Sequence, residues 1–254
     1  MNDRFNIGGA STYPIHTSHK YLFPDKVMYE LSCTSSGKLR YDKSIKTFQR
    51  KKQVVNNLHL TNGLSFTDKS FAMLQPYNGP VDFDICPYCK YRKSSGSNTA
   101  LHFFQDDYTF KTLWDNLETA SYKFRKFDYI FTPDYSMYLD APDHINRDAV
   151  YKNRAVGAIW QQKFGFNVIP TFSFGPASSF SYCFDGLPEY SVLAVEHSSV
   201  GHTYPQRKLF QKAIETVVST KHPTTLIVYG FPLDFDPKVP VKYFECNIQK
   251  LRAL

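Results

Sequence analysis

Residues 191–230 read SVLAVEHSSVGHTYPQRKLFQKAIETVVSTKHPTTLIVYG. Ser191–Val195 is a short apolar run, and Thr224–Tyr229 is another, closed by Gly230. Short apolar runs bounded by polar residues read as buried strands. The segment between them, Arg207–Thr220, is long enough for a helix and carries apolar residues at helical spacing. Strand, helix, strand in this order is a βαβ unit, and its two strands lie parallel because the crossover is far too long for a hairpin.

The same alternation extends back toward the N-terminus. Ala100–Gln105 (ALHFFQ) reads as a strand, Tyr108–Lys126 as a helix, and Tyr129–Thr132 (YIFT) as a strand stopped by Pro133-Asp134. Ile145–Phe164 reads as a helix ended by Gly165 at a C-cap position, and Asn167–Phe172 (NVIPTF) as a further strand. Lys242–Glu245 is a candidate last strand. Runs such as LIVY, apolar on both faces, suit a parallel sheet covered on both sides. The fold class predicted is α/β, with a mostly parallel sheet that is a barrel or barrel-like. Regular patterning begins near residue 100. The division expected is therefore 1–99, an irregular basic region, and 100–254, the α/β domain.

Composition agrees with a folded chain. Hydrophobic residues make up 42% and aromatics 17% of 254 residues, which excludes wholesale disorder. No apolar run is long enough to span a membrane, so no membrane partner is expected. The first residues, Met1-Asn2-Asp3-Arg4-Phe5, lack the apolar stretch of a secretory signal, which predicts a cytoplasmic protein. The net charge of +7 is unevenly placed: residues 1–99 carry 14 Lys and Arg against 7 Asp and Glu, while the remainder balances. The densest stretch holds Lys38, Arg40, Lys43, Lys46, Arg50, Lys51 and Lys52, opposed by Asp42. Such a stripe either neutralises nucleic-acid phosphates or is a solvated basic surface.

Several stretches resemble one family. HFFQDDYTFKTLW, FDYIFTPDYSMYLDAP, YKNRAVGAIWQQKFGFNVIP, SYCFDGLPEYSVLAV and KHPTTLIVYG, spanning about residues 100–232, are similar in order and spacing to domain of unknown function 4417. FNIGGASTYPI near the N-terminus is loosely similar. The resemblance implies a bacterial, bacteriophage or mobile-element source, and a host-cell cytoplasm if the chain is phage-encoded. It implies no reaction. After the strand at 191–195 the family commonly has a Thr-His-Gly-Cys-like loop, whereas this chain has Glu196-His197-Ser198-Ser199, so no thiol role carries over.

In α/β folds the pocket forms at the C-terminal ends of the strands. Asp106 and Asp107 follow one strand, and one of them is expected in the pocket while the other caps the next helix. Asp134 and Asp140 flank the loop after the next strand, where two carboxylates serve as acid and base, hold Mg²⁺, or simply form turns. Arg154 on the following helix suits a phosphate or a structural pairing with a strand-end Asp. Trp160 on that helix reads as core. Asp185 precedes Gly186 in a turn and is the last candidate for the pocket.

Cys86-Pro87-Tyr88-Cys89 is a CxxC knuckle in what reads as a polar loop. It offers half of a zinc site, for which Cys33 and His59 are the best partners, a redox pair, or a plain knuckle of free thiols. The chain has no GxGxxG, no P-loop and no nucleophile elbow. Three readings remain open. The first is a hydrolase or transferase working at phosphate on a nucleotide or nucleic acid through the acidic strand-end pocket, with a divalent metal (Mg or Zn) as its cofactor. The second is a nucleic-acid-binding accessory protein using the basic N-terminal region. The third is a small-molecule binder without chemistry.

Overall fold

The computed structural model describes residues 32–33, 39–40, 57–199, 203–246 and 249. The chain divides into two compact units, Met1–Asn62 and Gly63–Leu254. In the first, β1 (Ser32–Cys33) and β2 (Leu39–Arg40) pair antiparallel, and α1 (Leu58–Thr61) makes a single turn. The basic stretch 38–52 lies outside the described residues, apart from the backbone of Leu39–Arg40.

The second unit holds seven strands. They are β3 (Asp84–Pro87), β4 (Thr99–His102), β5 (Tyr129–Phe131), β6 (Val168–Ile169), β7 (Val192–His197), β8 (Thr225–Gly230) and β9 (Val241–Phe244). Every pairing is parallel, and spatial order follows chain order: β3-β4-β5-β6, then β7-β8-β9. A parallel bridge between Thr171 and Ala194 links the two sheets. Ladder pairing is thin here because Pro170 has no N–H to donate. Its carbonyl still accepts from Ala194 at 2.9 Å, and Phe172 N–H donates to the Ala194 carbonyl at 3.0 Å.

One apolar cluster draws on strands from β4 to β8: Ala100, Phe131, Ile169, Val192, Ala194 and Ile227, together with Tyr77, Phe83, Phe104 and Tyr229. Phe83, just ahead of β3, stacks on Phe244 of β9 with ring centroids 5.7 Å apart. Lys242 pairs with Asp82 at 3.3 Å. The first and last strands are thus drawn together around a shared interior, which makes the sheet barrel-like. No ladder joins β9 to β3 among the described residues.

The helices are α2 (Asp107–Phe110), α3 (Thr112–Asp115), α4 (Leu117–Phe124), α5 (Asp143–Phe164) and α6 (Tyr204–Lys221). The single helix expected at 108–126 is three short ones, broken where Asn116 turns to φ −123°. α5 ends where Gly165 adopts φ 70° and donates to the Trp160 carbonyl, the C-cap expected there. Trp160 is fully buried, and its indole N–H donates to Ser121 Oγ at 2.8 Å. α5 approaches the sheet closely at Gly157, where a Cβ would come within 2.5 Å of Thr132 Cγ2 and 2.7 Å of Leu74 Cδ2. α6 starts with a capping box between Thr203 and Gln206.

β3 lies ahead of residue 100, where regular structure was expected to begin. The CxxC therefore occupies the end of a strand and a 3-10 helix (Tyr88–Lys93), not a polar loop. No described helix is long and apolar enough to cross a membrane.

Candidate functional site

A cavity of about 600 Å³ opens where β5, β6 and β7 end. Asp134 and the loop Ser136–Asp140 line it from β5, Phe172, Ser173 and Phe174 from β6, and Val195, Glu196 and Ser199 from β7. Gln206 and Leu209 of α6 complete the wall. This is the strand-end position that a parallel sheet predicts, because every strand delivers its following loop to the same rim.

Three contacts fix the loop after β5. Asp107, in the first turn of α2, accepts from Ser136 Oγ at 2.9 Å and from Ser136 N–H at 3.2 Å. Buried Asn146 of α5 holds Tyr138 from both sides, its side chain accepting from the N–H and donating to the carbonyl, each at 2.9 Å. Ser173 Oγ donates to Asp134 Oδ1 at 2.7 Å.

Asp134 is the most perturbed carboxyl in the described structure. Burial pushes it from its ordinary 3.8 up to about 8, with the nearby negative charges of Glu196 and Asp107 adding to the rise and the Ser173 hydrogen bond opposing it. Its proton is therefore retained at neutral pH. Burial also raises Asp107, and the Ser136 hydrogen bonds oppose that rise. Glu196 stands in a different setting. Its carboxylate accepts from the backbone N–H groups of Ser198 at 2.7 Å and Ser199 at 2.9 Å, and from both serine hydroxyls. Its neighbour His197 anchors the loop: Nδ1 meets the Phe231 carbonyl at 2.8 Å, and the ring stacks on Phe210 at 4.3 Å.

The residues singled out from sequence separate into groups. Asp134 and Asp140 line the cavity, and Asp107 braces its rim. Asp106 occupies the N-cap of α2, but its side chain makes no capping hydrogen bond; its carbonyl accepts from Thr109 instead. Arg154 meets none of these acids. It is 1% exposed and donates to the carbonyls of Asp185 (2.8 Å), Cys183 (2.6 Å) and Thr171 (3.1 Å), and to Asn153 Oδ1. Burial lowers its pKa to about 10, so it stays charged at neutral pH, solvated by carbonyl dipoles. Asn153 joins this network through Thr132, Pro133 and Thr171, and together they bind β5 to the sparsely paired end of β6 directly beneath Ser173. Asp185 does not line the cavity and pairs with Lys69 at 2.9 Å.

Sequence reasoning passed over Glu196, Tyr138 and Gln206 as site residues. The signal for Glu196 was its place immediately after the SVLAV run.

The CxxC side chains are occupied modestly. The Cys86 thiol donates to the Pro87 carbonyl at 3.6 Å, and Cys89 Sγ accepts from Gln105 Nε2 at 3.1 Å. No group of three or more His, Cys, Asp or Glu side chains among the described residues is arranged to hold a metal ion. The Cys33 side chain lies outside the described residues, and His59 belongs to the unit Met1–Asn62.

The model of a domain of unknown function (DUF4417) matches residues 71–245. This chain belongs to the DUF4417 family. The match takes in β3 to β9, so every part of the cavity lies within the DUF4417 domain. The "Gene 1 protein" of Mycobacterium phage L5 is 33% identical over 164 residues, 65% of this chain and 68% of that protein. The "Gene 1 protein" of Mycobacterium phage D29 is 34% identical over 134 residues, 53% of this chain. The chain spans about half (49%) of the D29 protein's length. No solved structure matches the chain.

Proposed function

We propose that this DUF4417 protein is an enzyme, a hydrolase or transferase that works by acid–base catalysis in the strand-end cavity on a nucleotide or the end of a nucleic acid. One observation carries the reading. Asp134 and Glu196 end neighbouring parts of the sheet, face one cavity, and sit in opposite settings, one buried and keeping its proton, the other ringed by donors. Two carboxyl groups in unlike surroundings on one cavity suit a division of the acid and base roles. Asp134 would donate a proton to a leaving group and Glu196 would accept one from the attacking water or hydroxyl.

The cavity's volume is within the range of small-ligand pockets, and Phe172, Phe174 and Tyr138 offer apolar wall for a base or sugar. Among the described residues its lining includes Asp134, Asp140 and Glu196 and no Lys or Arg. A phosphate would therefore enter with a divalent cation. Mg²⁺ suits this, since it takes one or two protein carboxylates and completes its shell with water and substrate phosphate.

The test is turnover by the purified chain on nucleoside phosphates and short oligonucleotides with Mg²⁺, beside Asp134→Asn and Glu196→Gln. Turnover lost in both variants with the fold intact supports the reading. A wild-type chain that turns over none of these substrates, and that none of them stabilises thermally, defeats it.

A further inference from the structure

A second surface, none of whose residues lines the cavity, is formed by the segment that follows β3 and the segment that precedes β5, and it has a different chemistry. The 3-10 helix Tyr88–Lys93 supplies Lys90, Arg92 and Lys93. The end of α4 and the turn after it supply Lys123, Arg125 and Lys126. These two segments interlock. Tyr91 meets Phe124 edge-on at 5.3 Å, and Tyr88 meets it at 6.0 Å. Lys126 Nζ donates to the Ser94 carbonyl at 2.7 Å, and Asp128 N–H donates to the Gly96 carbonyl at 3.3 Å. Gly96 has φ 88°, and a Cβ there would stand 2.1 Å from the Lys126 carbonyl, so only glycine permits this approach.

The six cations are thereby gathered on one face. All six are exposed, and none forms an ion pair among the described residues. Asp84 opens β3 and Asp128 stands just before β5, and Asp128 already accepts from Asn98 N–H at 2.5 Å. Glu118 lies in the first turn of α4, at its other end. A helix C-terminus favours a cation or two in its last turn. It does not account for six drawn from two elements. Two guanidinium groups lie over tyrosine rings, Arg92 over Tyr91 at 5.7 Å and Arg125 over Tyr122 at 5.0 Å, and Tyr122 is 56% exposed.

We propose that this face binds the phosphate backbone of a nucleic acid, independently of the cavity. Unpaired cations interleaved with tyrosines are the chemistry of a backbone-tracking surface. A membrane surface would be met by exposed Trp, Phe or Leu among the cations. Tyr122 is the one large hydrophobic residue exposed on this face among the described residues.

The experiment measures fluorescence anisotropy of a labelled oligonucleotide, single-stranded and duplex, with the full chain between about 50 and 200 mM salt. It compares the wild type with a variant carrying Arg92→Ala, Lys93→Ala, Lys123→Ala and Arg125→Ala, which spares the Lys126 contact to Ser94. The expected result is at least a tenfold loss of affinity, with the slope of log K on log salt falling by about 0.7–0.9 for each phosphate contact removed. Single reversals, Lys93→Glu and Lys123→Glu, give the same direction should the quadruple variant unfold. Unchanged affinity and slope in the variants overturn the proposal, as does absence of wild-type binding at low salt. Preferential binding to phosphatidylserine vesicles over both oligonucleotides also overturns it. None of these outcomes bears on turnover in the cavity.

Discussion

Asp134→Asn isolates the electrostatic cost stored in the cavity. The folded chain keeps a proton that the unfolded chain releases near 3.8, and gives it up only at about 8. Stability linked to this proton is complete below pH 4, falls as pH rises through the interval, and is lost above pH 8. At about 1.4 kcal/mol per pH unit the whole interval corresponds to a ceiling of roughly 6 kcal/mol. The carboxyl lines an open cavity, where solvent screening removes part of that, so roughly 2–3 kcal/mol is expected. Asn keeps the acceptor for Ser173 Oγ and cannot ionise. The variant should match the wild type at or below about pH 4, gain on it at pH 7, and exceed it by roughly 2–3 kcal/mol at pH 9. Urea unfolding at these three values, with equal m, measures the difference directly. A difference that does not change with pH, or a variant less stable at high pH, would refute the claim that Asp134 holds its proton.

Arg154→Met should cost several kcal/mol, at about 1 or more for each buried acceptor it abandons, and chemical denaturation will show it as a loss of stability in the chain with or without ligand. Gly157→Ala should destabilise by roughly 1–3 kcal/mol, because its Cβ meets Thr132 and Leu74 on a packed face; an unchanged melting temperature would mean that α5 can shift. Iodoacetamide at about pH 8, followed by peptide mapping, should label Cys89 first among Cys86, Cys89, Cys183 and Cys246. Cys89 is exposed, whereas the other three are buried and burial lifts the Cys183 thiol to about 12. Early labelling of Cys183 would contradict the packing beneath the cavity.

The parallel sheet was legible because its central strands are apolar on both faces, as LIVY and SVLAV are. β3 was not, since DICP has one fully buried position and ends in proline. It is an edge strand specified by its partner β4 more than by its own pattern. The β6 run was read long because NVIPTF looks continuous, while Pro170 truncates the ladder to Val168–Ile169. At the site, Asp134 could be found from its position after an apolar run. The role of Arg154 could not, because its partners are carbonyls of residues 17 to 31 positions away, which no local spacing encodes. Glu196 was hidden for a related reason: half of the donors that define its setting are backbone groups, invisible in residue types.

Spatial order and chain order coincide around the DUF4417 sheet, and its two ends meet at Phe83 and Phe244. A chain of this kind is cyclic in all but one covalent link. Tethering the segment after β9 to the segment before β3, and opening the backbone at an exposed loop between a helix and the next strand, would leave every neighbour relation in the sheet intact. Such a permuted domain keeps the cavity whole when the new ends fall away from the loops after β5, β6 and β7. The gap between β9 and β3 is thus where the ring began, and the ring is indifferent to that choice.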